Sequence, residues 1–404
     1  MLFAGLIYGW SVFRAAMVPD FPGWSVSAFS LNFSLCMSFF CVGTLCCGVV
    51  SKKLSTRAVI IVSAVLIFVG FFITSRTTTP LMLYVGYGVL SGFAIGAVYN
   101  SVMSTTLKWF PDCSGLMSGI LLMGFGFSAI LVGPVFTRIS AAQGWREAFI
   151  FLGSATAVIF LAGACILRPP PKEYICSGPG KTREITAGVE ELGPGGMLKT
   201  GRFWAYFVWA IVLSAGGLAI NAHSYDMAYD VLMSDRALSA TAHAVTGKLP
   251  VLVALFSVFN GLGRVIFGAF FDKIGRKKTM NLVCLVFAVS TLVLLAALWK
   301  KIFIMLMVGL ICCGFCYGGI MPSNSSFIRG SFGEKHYSVN FSIVTLNLLP
   351  ASYIGPMVSG VLFDATGSYM GNVLCLGIFT VIGIICSIVV SKSKKLRAKQ
   401  TPLH

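Results

Sequence analysis

Arg264 stands inside an apolar run, eight positions before Asp272 and so about 12 Å along a helix from the polar end of that run. A guanidinium at that depth is beyond comfortable snorkelling, and a helix-centre arginine costs about 2.5–3.5 kcal/mol even on insertion scales. It needs a partner. Asp20, Asp112, Glu147, Asp226, Asp230 and Asp364 all fall at the ends of apolar runs or between them, so none is placed to neutralise it. A guanidinium without a protein counter-ion suits a carboxylate ligand, which its fork of donors can hold through two parallel hydrogen bonds. Other polar residues border the same runs. Tyr8, Tyr99 and Tyr317, with Trp10, can line a cavity or simply pack, and Asn32, Asn100, Asn260 and Asn347 can line one or join neighbouring helices by hydrogen bonds. His223, followed closely by Asp226, has the side chain that titrates nearest neutral pH, which makes it a candidate for proton coupling, although a lone histidine at a run's end can equally be just hydrogen-bonded. Arg14, near the end of the first run, either snorkels or meets entering anions.

The run that carries Arg264 ends in Gly268-Ala269-Phe270-Phe271-Asp272-Lys273-Ile274-Gly275-Arg276-Lys277-Lys278. Small Gly268 admits a neighbouring helix, Asp272 is an acid able to pair with cations, and Gly275 lets the chain turn before a basic cluster. A routine basic loop would explain the lysines but not the ordered Gly, Asp and Gly. The corresponding stretch of the first half, Gly48 to Arg57, has Lys52 where the acid would stand and Ser55 in place of the turn glycine. Gly88, Gly92 and Gly96, repeated by Gly314 and Gly318, make small-residue stripes suited to close helix packing.

The elements that must position these residues follow from composition. The chain has 404 residues, 57% hydrophobic and 11% charged, with a mean hydropathy of +0.88, against about 45–50% apolar and 25% charged for a soluble domain. Apolar runs approaching the ~20 residues of a bilayer span recur along its length. They fall near 2–17, 26–50, 57–75, 81–105, 115–138 and 147–167, and again near 203–224, 249–271, 279–298, 301–325, 337–363 and 371–391. The reading is an all-α membrane protein with twelve transmembrane helices in two six-helix bundles, 1–167 and 203–391. A Pro- and Gly-rich linker, 168–202, joins them, and a basic tail, 392–404, follows. The first run is short, which leads to the expectation that its first turn lies outside this chain. Of the 30 basic residues, 21 fall on the linker's side and 8 on the other, with Arg264 between. The bias predicts that linker, tail and both termini are cytoplasmic. The expected location is the plasma membrane.

The halves also repeat. Gly92-Phe93-Ala94-Ile95-Gly96 returns as Gly314-Phe315-Cys316-Tyr317-Gly318, and Gly133-Pro134 as Gly355-Pro356, each at an offset of 222. Two parallel halves with a site at their interface near the midplane are implied. The net charge of +17 is dispersed in short tracts between apolar runs, which argues against nucleic acid as a partner. No nucleophile–base pair, metal cluster or phosphate-binding GxxxxGK loop can be assembled inside the runs, so neither an enzyme, a cofactor nor a nucleotide-driven pump is expected.

Gly5-Leu6-Ile7-Tyr8-Gly9-Trp10, Lys108-Trp109-Phe110-Pro111-Asp112, Gly144-Trp145-Arg146, Met197-Leu198-Lys199-Thr200 and Asn260-Gly261-Leu262-Gly263-Arg264 occur in order along nearly the whole chain. Together they resemble the oxalate/formate antiporter family of the major facilitator superfamily, related to the monocarboxylate transporters; the Gly268 to Lys278 stretch resembles the superfamily's loop signature, a conformational latch, which implies Gly268, Asp272, Gly275 and Arg276 as candidate gating residues. The resemblance implies a secondary carrier of small organic anions, with Arg264 matching the arginine that holds the substrate carboxylate and protons or a counter-anion as the coupled species. Two positions depart from the pattern. Leu348, beside Asn347, takes the place of the oxalate antiporters' second basic residue, a lysine, and Asn260 that of the acid found one turn before the arginine in monocarboxylate transporters. A monocarboxylate such as formate, lactate or pyruvate is therefore the expected substrate. An oxalate/formate exchanger, or a transporter-like sensor that has lost its first latch, are the alternatives.

Overall fold

The computed structural model describes residues 1–51, 53–171, 191–235 and 249–392. Much of the linker (172–190), the end of the tail (393–404) and Lys52 lie outside the described residues. Every regular element among the described residues is helical. A 3-10 turn, Phe3–Gly9, leads into α1 (Trp10–Met17), followed by α2 (Val26–Val50), α3 (Thr56–Ser75), α4 (Pro80–Trp109), α5 (Pro111–Gln143) and α6 (Trp145–Ile166). A short α7 (Pro194–Leu198) precedes α8 (Gly201–Ser234), α9 (Leu249–Lys300), α10 (Phe303–Phe332), α11 (Tyr337–Thr366) and α12 (Met370–Lys392).

The starts of several helices are written locally. Ser25, Ser55, Thr79 and Thr200 each accept a hydrogen bond from the backbone N–H three residues on, which satisfies one of the donors orphaned at a helix start. Ten stretches among the described residues are long and apolar enough to cross a membrane. They contain more rods than that, because α9 is two helices. Gly275, at φ 79° and ψ 168°, leaves the helical region between them, a conformation that an L side chain adopts only with strain. Gly263, before this point, lies against Phe315 of α10, and Ser290, after it, donates to the Gly309 carbonyl of the same helix at 2.9 Å. Both arms run along α10, so the chain doubles back at Gly275. The segment 3–17 falls short of a span by length and still packs as a rod, with Leu6, Phe13 and Met17 fully buried. Twelve rods result.

Apolar side chains such as Val62, Leu292, Ile304 and Ile385 stay more than half exposed on the outer surface. That pattern is expected where the surrounding solvent is hydrocarbon. Aromatic clusters fill the interiors of the halves: Phe13, Phe71, Tyr87, Phe136 and Phe149 in the first, Tyr206 stacked on Phe327 at 3.7 Å in the second. The halves meet along two seams. α5 lies on the first arm of α9, and α2 lies on α11.

Candidate functional site

Both seams are tightest at the end of the bundle where α6 stops and α8 starts, here the linker end. A Cβ on Gly268 would collide with the Gly115 carbonyl, and one on Gly119 with the Arg264 carbonyl, so α5 and α9 cross with backbones in contact. Asp272 caps this crossing: its two oxygens accept the backbone N–H groups of Gly115 at 2.9 Å and Leu116 at 2.8 Å. The acid thus acts on the first turn of a facing helix, where anionic groups are favoured, and not on a cation of its own loop as its sequence context suggests. Arg276 donates to Ser331 Oγ at 2.7 Å. On the other seam Gly48 lies against Ser338 and Ser342, and Asn100 exchanges hydrogen bonds with Ser338, Nδ2 to its carbonyl and Oδ1 from its hydroxyl, each at 3.2 Å. Arg329 of α10 reaches the Leu107 carbonyl of α4 at 2.8 Å while pairing with Glu334. Tyr99 stacks on Phe341 at 5.8 Å across the same interface.

Above that closed end sits Arg264, 4% exposed. Its Nε donates to Asn260 Oδ1 at 3.1 Å and its Nη1 to the Leu122 carbonyl at 2.6 Å. The guanidinium also lies 5.9 Å from the centre of the Tyr8 ring. No carboxylate is within ion-pair distance of it among the described residues. Nη2 has no hydrogen-bond partner among them either, and neither does the buried Nδ2 of Asn260. Toward the linker end, space shrinks to about 10 Å³ between Tyr8, Phe40, Tyr99, Phe125, Arg264, Met321 and Leu348. Away from it, a cavity of about 390 Å³ extends past Tyr8, Asn260, Arg264 and Tyr317 to Ser11, Asn221 and Ser257, whose exposure marks its mouth. The bundle is therefore shut at the linker end and open at the other, the distal end, with Arg264 at the floor of the opening.

Of the residues singled out in the sequence, Arg264, Asn260, Tyr8 and Tyr317 share the open cavity, and Tyr99 borders the narrow pocket beneath it. The others lie elsewhere. Asn32 is buried against Gly88 between α2 and α4, at the π-helical stretch Tyr84–Ser91, with neither side-chain atom hydrogen-bonded. Asn100 belongs to the closed seam. Asn347 donates to Asn324, which also accepts from the Tyr206 hydroxyl, inside the second half. His223 is half-buried at the distal end, 3.9 Å from Asp226 and beside the Tyr369 ring. Burial, with Asp226 and Asp230 nearby, holds the Tyr369 phenol above its ordinary range. Arg14 is half-buried on α1, outside both cavities.

Three features of the cavity escaped the sequence reading. The mouth residues Ser11, Asn221 and Ser257 are ordinary polar residues on apolar helices. The Leu122 carbonyl has no side-chain signature. Its access to Arg264 depends on Gly126, where a Cβ would stand 3.3 Å from Cζ and Nη1, and on the interruption of α5 at Phe127. Gly124-Phe125-Gly126, ahead of Pro134, was the available signal.

A family model described as Major Facilitator Superfamily matches residues 1–247 and 225–403. The oxalate:formate antiporter of Oxalobacter formigenes is 27% identical over 342 residues, covering 83% of this chain and 77% of that protein. Monocarboxylate transporter 13 of Rattus norvegicus is 23% identical over 351 residues, covering 82% and 73%. Among solved structures, the proton:xylose symporter XylE aligns over 97% of this chain and 94% of its own, with a TM-score of 0.66 at 16% identity, which speaks to the fold alone.

Proposed function

The chain belongs to the major facilitator superfamily, and from that premise we propose that it carries small monocarboxylate anions by alternating access, with Arg264 holding the carboxylate. It is an integral, multi-pass membrane transporter and not an enzyme. The observation that carries the substrate reading is a buried guanidinium with no carboxylate partner among the described residues, at the floor of a cavity open at one end. A substrate carboxylate would accept from Arg264 Nη2 and from Asn260 Nδ2, donors that the described residues leave unused. Asn260 Oδ1 and the Leu122 carbonyl meanwhile fix the guanidinium plane.

Binding neutralises the cation, which eases closure of the two halves over the occupied cavity; the unloaded site keeps an uncompensated charge. That asymmetry favours exchange of anions as one working mode, in line with the antiporter among the relatives. His223 with Asp226, and Arg14, stand at the distal end as the groups for proton coupling or anion entry. The Lys/Arg bias supports a cytoplasmic linker end at the plasma membrane, and in this reading the state described faces outward.

Uptake and counterflow of a radiolabelled panel (formate, lactate, pyruvate, oxalate) in proteoliposomes, with and without a pH gradient, tests the reading. Saturable monocarboxylate uptake is expected. An absence of counterflow with every member of the panel would remove the carboxylate assignment.

A further inference from the structure

At the linker end a second cavity, of about 400 Å³, opens between the start of α5 and the turn of α9, with α10 and the end of α12 as its other walls. Arg276, Lys277 and Lys278 line it, and none of the three has a carboxylate within ion-pair distance among the described residues. The acid in the wall, Asp272, has both oxygens engaged by the Gly115 and Leu116 N–H groups. Ser326, also in the wall, is 5% exposed and its hydroxyl has no hydrogen-bond partner among the described residues; the hydroxyl of Ser391 has none among them either. A buried polar group left unpaired is destabilising, and clustered like charges add to that. One ligand relieves both: an anion with more than one charge and several acceptor oxygens.

We propose that this cavity binds a phosphate monoester group, carried either by a soluble phosphorylated molecule or by a lipid headgroup of the phosphatidic acid type. A carboxylate offers two oxygens and a single charge, whereas a phosphate monoester brings up to about two charges and three strong acceptors, which fits three unpaired cations and a free hydroxyl. The cavity is far smaller than a folded partner and has room for a phosphate with part of its ester. Its walls come from both halves, Ser114 from α5 facing Arg276 and Ser326. The bound phosphate bridges the seam that Asp272 already caps, and so favours the state closed at the linker end.

The test uses the purified full chain with inorganic phosphate as probe, followed by phosphorus NMR line broadening at matched chloride strength. In parallel, the chain is placed in nanodiscs with and without phosphatidic acid, whose headgroup is a phosphate monoester, and retained lipid is read by native mass spectrometry. One saturable class of site is expected in at least one arm. Lys277→Gln with Lys278→Gln should weaken it by about tenfold or more, the scale of a lost charge-assisted contact, and Ser326→Ala by less. Saturation with inorganic phosphate assigns a soluble ligand, and retention of phosphatidic acid without it assigns the headgroup. Saturation in neither arm, or an unchanged affinity in the double lysine variant that remains folded by thermal unfolding, overturns the proposal.

Discussion

Arg264 donates to the side-chain oxygen of Asn260, one helical turn earlier on the same arm of α9, at 3.1 Å. The partner is an amide. It orients the guanidinium as a carboxylate would, but it leaves the positive charge uncompensated and its own Nδ2 unpaired. A carboxylate at this position would make an internal ion pair that an incoming anion must displace.

Asn260→Asp should therefore convert an open anion site into a self-neutralised one. At neutral pH its apparent KM for a monocarboxylate should rise by about tenfold or more, the cost of breaking a buried charge pair being several kcal/mol before the substrate compensates. KM measured for a monocarboxylate in proteoliposomes at neutral pH should show this rise, with Arg264 unchanged. A variant with the parent's KM would mean that Asn260 does not face the substrate.

Gly119 touches no part of the cavity, yet a Cβ there would run into the Arg264 carbonyl. Backbone cannot yield as a side chain does, so Gly119→Ala should push α5 off α9 and tilt the guanidinium. Overpacking of this kind costs about 1–3 kcal/mol. Transport should drop by about tenfold, a misplacement effect, with a lowered Tm, while Gly163→Ala, where a Cβ meets open space, should change neither. Equal activity in the two variants would show that the α5–α9 contact does not position Arg264.

Asp272→Asn should loosen the linker end. An amide keeps one acceptor, so one of the Gly115 and Leu116 N–H groups loses its partner, and the negative charge at the start of α5 is lost. The population should shift toward the state open at the linker end. Ser342→Cys, introduced opposite Gly48 in a background without other reactive cysteines, should react with a maleimide severalfold faster in the Asp272→Asn variant, an increase of several times corresponding to about 1 kcal/mol. Unchanged labelling would remove Asp272 from the gate.

The sequence carried the long-range architecture more clearly than the site. Hydropathy and the Gly275 turn separate the rods because both are local properties, and the Arg264 depth argument needs only residue counting and the cost of burying charge. What Asn32, Asn100 and Asn347 do is not local. Each sits on an apolar helix with a face that only the packing of other helices decides: Gly88 beside Asn32, Ser338 across from Asn100, Asn324 under Asn347. Gly268 and Asp272 were legible as a motif, but the receiving groups of Asp272, two backbone N–H groups of α5, leave no trace in residue type. The Leu122 carbonyl is hidden for the same reason.

Leu348 lines the narrow pocket with Arg264, so the position that the sequence resemblance aligns with the oxalate antiporters' second basic residue lies beside the proposed carboxylate-binding arginine. On that proposal, leucine there would leave a single guanidinium to face the substrate. It balances one carboxylate, while a dianion would leave one charge without a partner in a low-dielectric cavity, at a cost of several kcal/mol. Formate, lactate or pyruvate should accordingly outcompete oxalate in uptake competition. Arg264→Gln should abolish transport without preventing insertion, as judged by gel filtration of the purified protein. Arg264→Lys should recover little, because a point charge cannot donate to Leu122, to Asn260 and to the substrate in one plane. Leu348→Lys should move preference toward oxalate, since the added ammonium can take the second carboxylate where now only apolar and aromatic walls meet. Oxalate outcompeting lactate in the unmodified protein, or full activity in Arg264→Gln, would mean that the substrate charge is balanced by some group other than Arg264.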